Sequence, residues 1–257
     1  MWQSDVMIYW KELYESPRRL TSKWGHHRIF APESYELVRT LQLVPIVHPE
    51  ALRLAAYFPI VWRVQDDGAV LCVLRSLVAG GLGHPVKPTH AAGGLPLALR
   101  GFPVIAAAPA GSGEEIWIDE VVADRPTDVG APILMEDGRL SRGAVQRIQA
   151  VGKLRQAIDT THRLTEALTR HRLLEPWPLD FELASGGRRI RFDDLMVVRP
   201  LTSPDSDLIE HLREFGIEAA TFIAAHRISL FRISTLLQAA RSAMATETAS
   251  PQLEEAT

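Results

Sequence analysis

The chain has 257 residues, 46% hydrophobic and 23% charged, enough to bury a substantial globular core. Its formal net charge of -3 leaves no surplus of Lys and Arg for phosphates, which argues against nonspecific nucleic-acid binding. The single cysteine, Cys72, can form neither an internal disulfide nor a multi-cysteine zinc site, so a reducing, cytoplasmic setting is expected.

At the start of the chain, Asp5, Lys11 and Glu12 fall within what would be the apolar region of a signal peptide, so no export by the general route is expected. Trp2, Met7, Ile8, Tyr9 and Trp10 are expected to pack on their own domain, with an amphipathic surface anchor as the alternative. Residues 58–64 and 69–75 are rich in β-formers and flank Asp66-Asp67-Gly68-Ala69. With Asp67-Gly68 as a two-residue type I′ turn, Val64 would face Leu71 and Trp62 would face Val73. Residues 52–61 resemble 96–105: a short helical approach, then Phe-Pro and a β-branched pair. The likeness predicts two helix-strand-strand units side by side in one sheet system, unless Phe-Pro is simply a way of opening a buried strand. Between the copies, Gly80-Gly81-Leu82-Gly83 follows a strand as a dinucleotide loop would. However, His84-Pro85-Val86-Lys87-Pro88 cannot open the helix that would hold a pyrophosphate, and a connecting loop is expected. No uncharged stretch in this region approaches the roughly 20 apolar residues of a spanning helix.

Asp119 and Glu120 end an otherwise apolar strand, as an edge feature or one wall of a cleft. From Ser141, a plausible N-cap, apolar residues recur in steps of three and four apart from one skipped turn at Thr161 and His162, predicting a long helix to about Leu174, stopped by Pro176 and Pro178. A hairpin looped at Ser185-Gly186 would pair Glu182 with Arg189, Asp180 with Arg191, Phe181 with Ile190 and Leu179 with Phe192. That one register puts opposite charges on one face and apolar side chains on the other. Ser203-Pro204 opens a short helix that stops at Gly216, and residues 217–241 form a last helix, apolar around much of its circumference. The expected fold is α+β, with antiparallel sheets built from hairpins, a long central helix and a buried C-terminal helix. Residues 1–25 form an N-terminal segment, 26–242 one domain and 243–257 a disordered tail.

A set of segments in fixed order resembles the landmarks of the SapC-like bacterial family. They are Tyr57-Phe58-Pro59-Ile60-Val61, Gly101-Phe102-Pro103-Val104-Ile105, Ile116-Trp117-Ile118-Asp119-Glu120, Met135-Glu136-Asp137-Gly138, Leu174-Glu175-Pro176-Trp177-Pro178 and Ala225-His226-Arg227-Ile228-Ser229-Leu230. The resemblance covers roughly residues 40 to 240 and departs after the last segment, where Phe231-Arg232-Ile233-Ser234 replaces an Asn-containing, Leu-rich continuation. It implies association with a bacterial surface layer, and partners among TonB-dependent receptor systems or flavin-dependent halogenase-like proteins. A permease sense of the same label does not fit a chain without a spanning helix.

Read directly, the residues complete no catalytic motif. Among nine histidines, His26 and His27 diverge, His84 and His90 lack a carboxylate at useful spacing, and His162 with Glu166 supplies two ligands where zinc uses three or four. Gly111-Ser112-Gly113 lacks the frame of a nucleophile elbow. No metal and no cofactor are expected. The candidate ligand- or partner-binding residues are Asp119, Glu175, Trp177, His226 and Ser229, although Trp177 as a plug between helix and sheet and His226 as a satisfied core histidine are the plainer readings. Two functions stand open: a non-enzymatic accessory or binding protein, and a peptide- or small-molecule-modifying enzyme with a pocket near Asp119, Trp177 and His226. A homodimer through the apolar last helix is a third use of the surface.

Overall fold

The computed structural model describes residues 13–21, 23, 25, 27–66, 68–79, 91–105, 115–126, 129–183, 189–201 and 206–249. The fold is α+β with antiparallel pairing. The chain divides into two compact units, a finer division than one domain over 26–242: residues 1–39, 45–47 and 95–162 in the first, and 40–44, 48–94 and 163–257 in the second. No helix among the described residues is long and apolar enough to cross a membrane.

The second unit is built on a five-stranded sheet of order β3-β5-β4-β11-β8. Its strands are β3 (Leu43–Pro45), β4 (Ile60–Gln65), β5 (Gly68–Leu74), β8 (Leu174–Pro176) and β11 (Leu195–Val198). The central β4 sends alternate side chains to opposite faces, as a strand must. Val61 joins Cys72, Leu195 and Val197 in an apolar cluster, whereas Trp62 packs on the other face against Phe222. Val64 pairs with Ala69 and Trp62 with Leu71, two positions from the expected register. The ladder runs as far as Gln65 opposite Gly68, which at φ 135 already opens β5. A shift of two leaves every side chain on its intended face.

The hairpin of β9 (Leu179–Glu182) and β10 (Arg189–Phe192) has the expected register in all four pairs. Its charges pair diagonally, however: Arg189 Nε donates to Asp180 at 2.6 Å, and Arg191 turns to Asp193 at 2.8 Å. Its loop, with Ser185-Gly186, lies outside the described residues, as do Gly80 to His90, Gly111-Ser112-Gly113 and Ser203-Pro204.

The first unit holds two short ladders, β1 (Pro17–Arg19) with β6 (Trp117–Asp119) and β2 (Arg28–Ile29) with β7 (Ala131–Pro132). Ile29, Ile118, Ile133 and Ala144 form its small cluster. The two Phe-Pro copies therefore do not share a sheet. Ile60 opens β4, whereas Val104 makes only an isolated bridge to Ile118, and the Phe102-Pro103 bond is cis. Each copy does follow a short helix, α2 (Ala51–Leu54) and α4 (Leu97–Gly101); α1 is Glu36–Thr40 and α3 is Ala91–Gly94.

The long helix α5 (Arg142–Arg170) starts as expected, with Ser141 Oγ accepting from the Ala144 N–H at 3.3 Å. It ends four residues before Leu174. Arg172 takes φ 51, the Leu173 N–H bonds the Leu168 carbonyl and the Arg172 N–H that of Thr169, a Schellman closure. Leu174 then pairs with Val198 in the sheet. Arg172 is exposed, and a Cβ in the left-handed region is unfavourable. Arg172→Gly should raise stability by about 0.5–1 kcal/mol, read as a higher urea midpoint; a lower midpoint would contradict this account of the helix end.

Helix α6 (Ser206–Ser229) is broken at Gly216, at φ 68, where the short helix was expected to stop. A 3-10 turn, Leu230–Arg232, leads into α7 (Ile233–Ala249). The final helix thus continues past Arg241 into the residues expected to be a disordered tail. Ala243 and Ala245 are strong helix formers and Met244 packs on the apolar cluster. Nor is residues 217–229 apolar burial complete: Ala219, Phe222, Ile223 and Ala225 are buried, while Ile217 and Ile228 face solvent.

Candidate functional site

The ladder between β4 and β11 pairs Arg63 with Leu195 and Trp62 with Met196, and the Val64 N–H donates to the Asp194 carbonyl at 2.7 Å. The same register continued would set Ile60 opposite Val198 as the next mutually bonded pair. The two strands do not close there. Helix α6 takes both backbone groups instead: Ser229 Oγ accepts from the Ile60 N–H at 2.9 Å, and His226 Nε2 accepts from the Val198 N–H at 2.9 Å. Arg227 Nη1 also donates to the Val198 carbonyl at 2.8 Å. Ser229 donates in turn to the His226 carbonyl at 2.5 Å. One turn of helix therefore caps the opening between two central strands, because residues three apart share a helix face.

An acceptor Nε2 requires the proton on Nδ1, which fixes the tautomer of a neutral imidazole. Burial pushes His226 down to about 3; the Ile60 backbone opposes this and Arg227 adds to it. The ring meets Trp62 edge to face with centroids 4.9 Å apart, and Phe222 meets the same indole at 5.8 Å. The Trp62 N–H donates to Thr165 Oγ1 of α5 at 3.0 Å. A neutral imidazole at pH 7 whose basic nitrogen already holds a backbone proton donor is poorly placed to act as a general base.

Asp119 lies in the first unit, buried at the end of β6. Its partner in register is Pro17, which has no N–H to give the ladder. The carboxylate reaches past it, accepting from the Ser16 N–H at 2.6 Å and the Glu15 N–H at 3.1 Å, while the Glu120 N–H returns to the Ser16 carbonyl at 3.0 Å. Burial raises its pKa and these two N–H groups oppose the rise. Asp119→Ala should destabilise the first unit by about 2–3 kcal/mol and speed hydrogen exchange at Glu15 and Ser16. Unchanged exchange at those two amides would refute the clasp.

Glu175 and Trp177 occupy the edge of the five-stranded sheet. Glu175 stands opposite Val197, and the Trp177 N–H donates to the Leu195 carbonyl at 2.8 Å. Opposed residues share a face, so both lie on the side of Leu195 and Val197, where the half-buried indole packs against the apolar cluster. His226 and Ser229 lie on the other face with Trp62. The structure brings His226 and Ser229 together and does not bring Trp177 to them.

A second polar cluster was not read from the sequence. His171 follows α5 and His211 lies on α6, their rings 6.0 Å apart. His171 Nδ1 lies 3.5 Å from Glu210, and Arg170 bridges Glu214 at 2.7 Å. His211 is fully enclosed, neither nitrogen has a hydrogen-bond partner, and burial, with His171 adding, lowers it to about 4. Among the described residues no group of three or more His, Cys, Asp or Glu side chains could hold a metal ion; His26, His84 and His90 lie outside them. Trp62 and Thr165 were also missed, because residues 103 apart carry no spacing signal.

The SapC family model matches residues 21–236. No curated protein and no solved structure matches the chain.

Proposed function

Since the chain belongs to the SapC family, we propose that it is a non-enzymatic accessory or binding protein of a bacterial surface-layer or TonB-dependent uptake system, acting from the cytoplasm. One observation carries the choice of a binding role over chemistry. Three buried polar side chains of the landmark segments, Asp119, His226 and Ser229, each accept from backbone N–H groups. Groups held in this way maintain a surface for a partner to read, and they leave no free base or nucleophile at those positions. An enzyme using Trp177 and His226 together would need them on one face of the sheet, and they lie on opposite faces. The partners expected are a TonB-dependent receptor system or a flavin-dependent halogenase-like protein.

Affinity purification of the full chain from its native cells, with quantitative mass spectrometry, tests this. Enrichment of a surface-layer, receptor or halogenase-like protein is the expected result. Recovery without any of these, at native expression, would overturn the proposal.

A further inference from the structure

The outward face of α6 and of the 3-10 turn that continues it carries an apolar seam. Ile217, Thr221, Ala224, Ile228 and Phe231 follow one another at intervals of four, three, four and three residues, the spacing of the a and d positions of a coiled coil. All five are exposed: Ile217 and Phe231 at 80% and Ile228 at 62%, with Thr221 and Ala224 also open to solvent. The Thr221 hydroxyl donates to the Ile217 carbonyl at 3.1 Å, which leaves its methyl outward. The buried side of the same helix already holds the sheet through His226 and Ser229, so the seam is a second, unused apolar face on a firmly held helix.

Charge around the seam indicates its occupant. Glu218 borders its N-terminal end and Arg232 its C-terminal end, and both are exposed. Along one helix they stand roughly 21 Å apart, too far to pair. In an antiparallel pairing of two copies, each Glu218 meets the other copy's Arg232, and the pair forms twice by symmetry. A parallel, in-register pairing would instead set Glu218 level with Glu218 and Arg232 level with Arg232, and form neither pair. We propose that this face of α6 binds the same face of a second copy of the chain, antiparallel, as a two-fold dimer. A seam of five residues is few beside the roughly 20–30 residues a side of standard interfaces, so association in the micromolar range is expected.

Sedimentation velocity of the full chain over 1–200 µM tests it, with circular dichroism to establish that each variant is folded. Wild type should pass from monomer to dimer across that range, and Ile228→Asp should weaken association about 30-fold. Glu218→Arg and Arg232→Glu should each weaken it about fivefold, and the two together should restore it. That rescue cannot arise within one copy. A wild type monomeric at 200 µM overturns the proposal, as does a dimer indifferent to Ile228→Asp. Failure of the double charge reversal to restore association overturns the antiparallel pairing.

Discussion

His226→Leu is expected to destabilise the second unit by about 2–4 kcal/mol, the largest effect among the landmark residues. Leucine fills most of the space but accepts no hydrogen bond. The Val198 N–H, facing a strand that has already turned away, would be left buried without a partner, at about 1–3 kcal/mol, and the edge-to-face contact with Trp62 would be lost. Ser229→Ala orphans the Ile60 N–H in the same way and should cost about 1–3 kcal/mol. Urea unfolding followed by tryptophan fluorescence reads both. A His226→Leu protein as stable as wild type would mean that the helix does not hold the opened sheet.

Acid should destabilise the protein well above the pH at which carboxylates protonate. The folded values of His226 and His211, about 3 and about 4, lie below the ordinary 6.5. Between those limits the unfolded chain binds protons that the folded chain refuses, so stability is fully present above 6.5 and falls as pH drops towards the folded values. Both imidazoles are displaced in the same direction, so their losses add as pH falls through that interval. Urea midpoints at pH 7.5, 6.0 and 5.0 should fall steadily, and His226→Leu should flatten the slope. A constant midpoint over that interval would show that both rings already accept protons in the fold.

What the sequence displays of the fold is what depends on near neighbours. The β9–β10 register follows from four pairs within fourteen residues, and the kink at Gly216 from one glycine at φ 68. The β4–β5 register differs by two from the expected one because both registers keep every side chain on the same face, so the alternation alone does not separate them. The end of α5 was misplaced because the left-handed residue is an arginine, which carries no stop signal in the sequence. The candidate residues were identified by type, whereas their partners were not legible. Ile60 and Ser229 are 169 positions apart, and Asp119 and Ser16 are 103 apart. Nothing in the spacing of His226 and Ser229 announces that their partners are two backbone amides left over where a ladder opens.

The landmark histidine is a neutral acceptor built into the sheet. Nitrogen NMR of the His226 ring in the full chain, titrated from pH 7.5 to 5, tests it most directly. The account predicts a single unchanging signal pattern, with the proton on Nδ1 and Nε2 hydrogen-bonded to the Val198 amide, for as long as the protein stays folded. A ring that titrates between pH 6 and 7 in the folded protein, or that carries its proton on Nε2, would contradict it.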